Sequence, residues 1–154
     1  MPRATESIIL LLLGQGIHEG KVYIQKRSSN KNLPGTYEPI QETCEPSDYP
    51  LALKEYLIKQ GFRKNKNPVI RGCREETGIT PRDLEFISME EPNPSTNYLR
   101  VAIFVGYTSE KPTPNPDETV PEESYFRTLE EVRALIPKHP ALTLVQSTLE
   151  KKLK

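Results

Sequence analysis

Two adjacent carboxylates, Glu75 and Glu76, with Gly78 two residues beyond them, are the part of this chain best suited to chemistry. Successive side chains on a helix point about 100° apart, so neighbouring glutamates can approach one hard cation from two sides. Mg²⁺ and Mn²⁺ take carboxylate oxygens of this kind, and Mg²⁺ is commonly shared with substrate phosphates. Arg71 precedes Glu75 by one helical turn, near enough to hold its carboxylate in one orientation. Gly78 suits the left-handed residue that ends a helix. The same stretch, Arg71-Gly72-Cys73-Arg74-Glu75-Glu76-Thr77-Gly78, also reads as the charged, solvated last turn of an amphipathic helix. The surrounding elements have to separate the two readings.

Arg71 to Ile79 resembles the second half of the Nudix box, Arg-Glu-apolar-x-Glu-Glu-x-Gly-apolar, the signature of hydrolases that act on nucleoside diphosphates linked to another group. The match covers Arg71, Glu75, Glu76, Gly78 and Ile79, with Cys73 at the small apolar position. The departure is Gly72, where the family has a third glutamate. A side chain at 72 would share a helix face with 75 and 76, the face on which the family binds metal. Glycine inside a helix also costs roughly 1 kcal/mol relative to alanine. Further upstream, Gly35 to Asp48 resembles the family's Gly-x-Trp-x-x-Pro-Gly-Gly-x-x-Glu-Pro-Gly-Glu. Tyr37 then stands for the tryptophan, Asp48 for the box's upstream glutamate, and Ile40-Gln41-Glu42 for Pro-Gly-Gly. Between Asp48 and Arg71 lie 22 residues where the box has seven, which implies a 15-residue insertion. Losing both glycines, which permit backbone conformations that other residues resist, predicts a loop that runs differently before the helix.

The flanks supply the elements that position these residues. Ser7 to Leu13 is a continuous apolar run bounded by Gly14-Gln15-Gly16, the pattern of a buried strand. Lys21 to Arg27 alternates polar and apolar residues, as a half-buried strand does. The two together resemble the paired strands that open a Nudix domain. Tyr98 to Tyr107 reads as another central strand, and Val120 to Phe126 resembles the family's Glu-Val-x-Glu-x-x-Trp strand. Thr128 is a candidate N-cap for the short helix that follows. Leu142 to Leu153 carries apolar residues at 142, 145, 149 and 153, the stripe of an amphipathic closing helix. The resemblance implies a single Nudix-like α/β domain over 1–154, an α/β/α sandwich with a mixed central sheet. The insertion at about 49–70 is expected outside the shared fold, with the box helix beginning near Val69. Within it, Tyr49 to Gln60 can form a short helix ended by Gly61. Arg63, Lys64 and Lys66 then make a basic turn, read as solvated, with contact to phosphates of a nucleotide or RNA as the alternative.

Composition narrows the class. With 21 basic and 21 acidic residues in 154, the formal net charge is zero, so no global field favours nucleic acid or a membrane surface. The apolar run at 8–13 is far too short to span a bilayer, and Cys44 and Cys73 read as free intracellular thiols; the expectation is a cytoplasmic protein. The 15 prolines concentrate between Pro92 and Pro140, and Glu110-Lys111-Pro112-Thr113-Pro114-Asn115-Pro116 reads as a stiff loop. His18 and His139 have no cysteine or histidine partner at metal-site spacing and read as surface residues.

The resemblance then implies the chemistry. A cation, Mg²⁺ or Mn²⁺, held by Glu75 and Glu76 with Asp48, would bridge pyrophosphate oxygens, and Arg71 would orient Glu75. A water is to be deprotonated by a carboxylate of the box or of a later loop. Glu118 and Glu122 are the later candidates, Glu122 fitting the flanking pattern better. Lys26 and Arg27 at the end of the second strand, with Tyr37, are the candidate substrate contacts. The expected activity is a divergent metal-dependent pyrophosphohydrolase releasing a nucleoside monophosphate. The alternative is a Nudix-fold module that binds nucleotide or RNA without turnover, as the mRNA 3′-end cleavage-factor subunit of this superfamily does. Gly72 and the lost glycines favour the module; Arg71, Glu75, Glu76 and Asp48 favour the enzyme. On the enzyme reading, Gly72→Glu is expected to raise turnover.

Overall fold

The apolar run at the start of the chain becomes the middle of the sheet. The computed structural model describes residues 6–30, 34–43, 67–90, 100–135 and 140–153. Asp48, Cys44, His139 and the insertion up to residue 66 fall outside those residues. In chain order the elements are β1 (Glu6–Gly14), β2 (Lys21–Lys26), β3 (Tyr37–Glu38), β4 (Ile40–Thr43), α1 (Asn67–Thr77), β5 (Arg82–Glu90), β6 (Arg100–Thr108), β7 (Tyr125–Thr128), α2 (Leu129–Leu135) and α3 (Pro140–Lys152). β1 runs parallel to β6 from Glu6 opposite Arg100 to Gly14 opposite Thr108. Its other edge is shared by two antiparallel strands, with Leu13 opposite Val22 of β2 and Leu10 opposite Ile40 of β4. β2 diverges from β1 and pairs with β3 and β7, and β5 closes the far edge against β6.

β1 is apolar on both faces because both faces are covered. Ile8, Leu10 and Leu12 join Tyr23, Ile40, Phe104 and the α1 residues Val69 and Cys73 in one core. Ile9, Leu11 and Leu13 join Val22, Ile24 and Ile103 beneath Val132 of α2 and Leu142, Val145 and Leu149 of α3. The chain is thus an α/β/α sandwich with a mixed central sheet, as its sequence implied.

Three local features depart from the sequence reading. β5 went unmarked because Arg82, Asp83, Glu85 and Glu90 interrupt its apolar residues. Charge is a common property of edge strands, which must not recruit another chain, and β5 is an edge with two register shifts. Val120 to Phe126 is only partly strand: Pro121 opens a 3-10 turn over Pro121–Glu123, and β7 starts at Tyr125. His18 is not simply a surface residue; its ring stacks on Phe126 with centroids 4.4 Å apart. The helix ends behave as expected. Thr128 and Glu131 form a reciprocal cap at α2, the Glu131 N–H donating to Thr128 Oγ1 at 3.2 Å and the Thr128 N–H to Glu131 Oε1 at 2.8 Å. α1 starts at Asn67, with Pro68 in the first turn, where a missing N–H costs nothing. It stops at Gly78, whose φ of +76° is the left-handed value and whose N–H donates to the Arg74 carbonyl at 2.9 Å. Among the described residues no helix is long and apolar enough to cross a membrane.

Candidate functional site

Val69, Cys73 and Glu76 are spaced by four and three residues, so the stripe that packs α1 onto the sheet ends in a carboxylate. Glu76 is only 6% exposed, whereas Glu75, one residue earlier, is exposed. Two neighbouring glutamates therefore have different surroundings. Glu75 joins Ile70, Arg71 and Arg74 around an open depression of about 400 Å³. Cys73, on the buried stripe, is a free thiol that burial pushes up to about 11.

The sheet brings three further polar side chains to Glu76. In β2, the alternation that buries Tyr23 toward α1 sends Gln25 the same way. Gln25 lies opposite Glu38 of β3. Its Nε2 donates to Glu76 Oε1 and, at 3.2 Å, to Glu38 Oε2. Arg27 donates from Nη1 to Glu38 Oε1 at 2.9 Å. Glu38, Ile40 and Glu42 alternate onto one face; Ile40 packs in the core with α1, and Glu42 reaches the helix itself. Arg71 donates to Glu42 Oε2 from Nε at 3.1 Å and from Nη2 at 2.8 Å. The arginine expected to orient Glu75 along the helix is thus engaged across it, at β4.

The fourth contribution comes from the proline-rich loop. Pro112, Pro114 and Pro116 have no N–H, and the two residues between them supply the donors. Thr113 N–H donates to the Thr77 carbonyl at 2.8 Å, and Asn115 N–H to the Glu76 carbonyl at 3.0 Å. Asn115 Nδ2 adds the Glu75 carbonyl at 3.2 Å. The unsatisfied carbonyls at the end of a helix are thereby tied to the loop that carries Glu118. The N–H groups of Glu118 and Thr119 donate back to the Asn115 carbonyl at 3.0 and 2.9 Å.

Burial pushes Glu76 up to about 8, a shift that the Gln25 hydrogen bond opposes and the charges of Glu38, Glu42 and Glu118 increase. Of the two loop candidates for a base, Glu118 is the one whose charge acts on Glu76; Glu122 is exposed on the 3-10 turn. Lys26 and Tyr37 stand across the sheet from Glu76. Both engage Glu123, the Lys26 Nζ donating at 3.1 Å and the Tyr37 hydroxyl at 2.7 Å. Tyr37 packs against the α2–α3 core, and Arg127 lies over its ring at 5.1 Å. Arg27 alone of the three candidate substrate contacts shares the face of Gln25.

Gly72 has a steric role that the sequence did not disclose. A Cβ built there would meet Glu42 Cβ at 2.9 Å, Cγ at 3.2 Å and Oε1 at 3.4 Å. Helix and strand approach so closely that they share room for one side chain. This changes the expectation for Gly72→Glu, which would force a second carboxylate into space that Glu42 fills. Gln25, Glu38, Glu42 and Asn115 were missed as site residues. Their one visible signal was the alternation of Glu38, Ile40 and Glu42.

Among the described residues no three histidine, cysteine, aspartate or glutamate side chains are grouped as a ready metal site. The chemistry of the donors nevertheless fits a hard cation: carboxylates, and the amide oxygen of Gln25, which is buried and has no hydrogen-bond partner among the described residues.

Solved structures share this fold. The NUDIX domain of Shewanella oneidensis NrtR, solved in complex with ADP ribose, is similar with a TM-score of 0.71 at 11% identity, covering 100% of this chain and 91% of that one. The Nudix hydrolase RenU of M. smegmatis gives 0.64 at 15% identity, over 96% and 84% of the two chains. The MutT protein of Methanosarcina mazei Go1 gives 0.62 at 16% identity, over 98% and 94%. No protein-family model matches the sequence. No curated protein matches it. The chain has the Nudix fold.

Proposed function

We propose that this chain is a divergent, metal-dependent hydrolase that cleaves the pyrophosphate of a nucleoside diphosphate linked to another group. The observation that carries the reading is the buried Glu76 near the end of α1, joined through Gln25 to Glu38 and raised by the charges of Glu38, Glu42 and Glu118, in a Nudix fold. Glu75 and Glu76 are the proposed carboxylates for Mg²⁺ or Mn²⁺, with Asp48 as a further ligand. When bound, the cation supplies positive charge that offsets what develops on phosphate oxygens. The protein's part is to hold the oxygens in place and to move a proton. Arg71 and Arg27 fix the carboxylates of Glu42 and Glu38. Arg27 is also the strand-end cation on the face where a phosphate would lie. Glu118 is the proposed acceptor of the proton from the attacking water, held by a loop that is bonded to the helix end. The products are a nucleoside monophosphate and a phosphorylated remainder.

A panel of nucleoside diphosphate derivatives, ADP-ribose included, incubated with Mg²⁺ or Mn²⁺ and resolved by chromatography, tests the reading. Metal-dependent release of a nucleoside monophosphate, lost in Glu76→Gln, is the expected result. Gly72, which leaves the helix face without a third carboxylate, favours a second reading: a module that binds nucleotide or RNA without turnover. Calorimetric binding of a panel member that is never cleaved would establish that reading instead.

A further inference from the structure

We infer that Gln25 of β2 is a positioning residue for Glu76: its amide nitrogen holds one oxygen of the Glu76 carboxylate and leaves the other for the chemistry. The inference rests on the hydrolase reading above and deepens it by naming the group through which the sheet orients the end of α1. Three bonds in a row carry it. Arg27 Nη1 donates to Glu38 Oε1 at 2.9 Å, Gln25 Nε2 donates to Glu38 Oε2 at 3.2 Å, and the same nitrogen donates to Glu76 Oε1. A glutamine amide has two N–H groups, and here each has one carboxylate. Gln25, Glu38 and Glu76 are 1%, 4% and 6% exposed, so water competes little for these bonds. Among the described residues the Glu76 carboxylate takes no other hydrogen bond, which fixes Oε1 and leaves Oε2 open. The charge-assisted contact with Arg27 keeps Glu38 in place, and Glu38 keeps the amide from turning.

Filling the core does not account for a glutamine here. Its oxygen is buried and has no partner among the described residues, a cost that an apolar side chain of similar size would not carry. Turning the amide over would not relieve that cost, because its oxygen would then face two carboxylates. The nitrogen and its two acceptors are therefore what the residue is for. Glu76 poses the same question. It follows Val69 and Cys73 on the stripe of α1 that packs on the sheet, where an apolar side chain would need no donor. A buried carboxylate with one neutral donor is weakly compensated, and local choices that lower stability gather at functional sites.

The test compares the full chain with Gln25→Met, which keeps the unbranched length and removes both N–H groups, on a panel nucleotide that the wild type cleaves. Near-UV circular dichroism establishes that both fold. The expected result is a kcat lower by about tenfold to a hundredfold with KM little changed, since a group that acts through Glu76 touches no substrate. A second readout needs neither turnover nor a variant of Gln25: the ¹H–¹⁵N NMR spectrum of the wild type. Both side-chain amide protons of Gln25 are expected downfield of those of exposed glutamines and slow to exchange. Glu76→Gln, a neutral acceptor, is expected to move one of them back upfield. Unchanged kcat in folded Gln25→Met, or amide protons that resonate and exchange like exposed ones, overturns the inference and leaves the hydrolase reading standing. A wild type that cleaves no member of the panel overturns that reading, and the positioning role with it. Should Gln25→Met not fold, Gln25→Asn, whose amide is one methylene short of Glu76, is read in its place with the same outcomes.

Discussion

Gly72 and Glu76 show how far the meaning of a residue depends on what faces it. Replacing a helix glycine by alanine ordinarily gains about 1 kcal/mol, and overpacking ordinarily costs about 1–3 kcal/mol. With Glu42 Cβ at 2.9 Å, the second effect wins at position 72. Gly72→Ala should therefore lower the melting temperature, and the same substitution in a Glu42→Gly background should raise it. A gain in the wild-type background would mean that α1 and β4 separate at little cost. Glu76 yields a pH prediction. Its folded value of about 8 lies above its ordinary 4.5, so between those values the native state binds more protons than the unfolded one. Stability then falls as pH rises through that window and is level on either side of it. Thermal melts of the metal-free protein should show this decline, and Glu76→Gln should remove Glu76's share of it. An unchanged slope in the variant would place the titration on another group.

At the scale of elements, the unusual connection is between a proline-rich loop and a helix end. Alternating prolines leave Thr113 and Asn115 as the donors of their segment, and both are spent on carbonyls of α1. Thr113→Pro removes the partner of the Thr77 carbonyl, a loss of about 1–3 kcal/mol for a buried acceptor left unsatisfied. The same change should raise hydrogen exchange at Gly78 and along residues 115–119. Exchange and stability equal to wild type would show that loop and helix are not coupled. The Thr128–Glu131 cap is a simpler case. Thr128→Ala should cost about 1 kcal/mol in denaturant unfolding, with little effect on any nucleotide bound near α1, because α2 covers the other face of the sheet.

For the whole molecule, the sheet separates two cores, and the polar cluster sits at the border of only one of them. A ligand that binds this cluster in the native state alone should stabilise the entire fold by mass action, about 2.7 kcal/mol at a hundred times its dissociation constant. Added Mn²⁺ should accordingly raise the melting temperature of the wild type, and EDTA should return it. The effect should shrink in Glu76→Gln. A melting temperature indifferent to Mn²⁺ would count against a cation site anywhere in the native protein.

The sequence by itself determined the layers and much of the helix chemistry. A seven-residue run from Ser7 to Leu13 with apolar residues at six successive positions has to lie between two covered faces. The 142–145–149 stripe has to pack on one of them, and Gly78 has to end the box helix. These follow from periodicity and from backbone conformation, which act over a few residues. The tertiary structure alone decided which polar side chains meet. Gln25 and Glu76 are 51 positions apart and Arg71 and Glu42 are 29 apart; no local pattern links them. The parity of β2 and β3 sends Arg27 to the face of Glu76 while Lys26 and Tyr37 go to the other. The distance between α1 and β4 decides that Glu42 fills the room beside Gly72. In sequence, Gly72 is a carboxylate lost from a motif. In the folded chain it is a gap already occupied from the neighbouring strand, because two packed backbones at that separation leave space for one side chain.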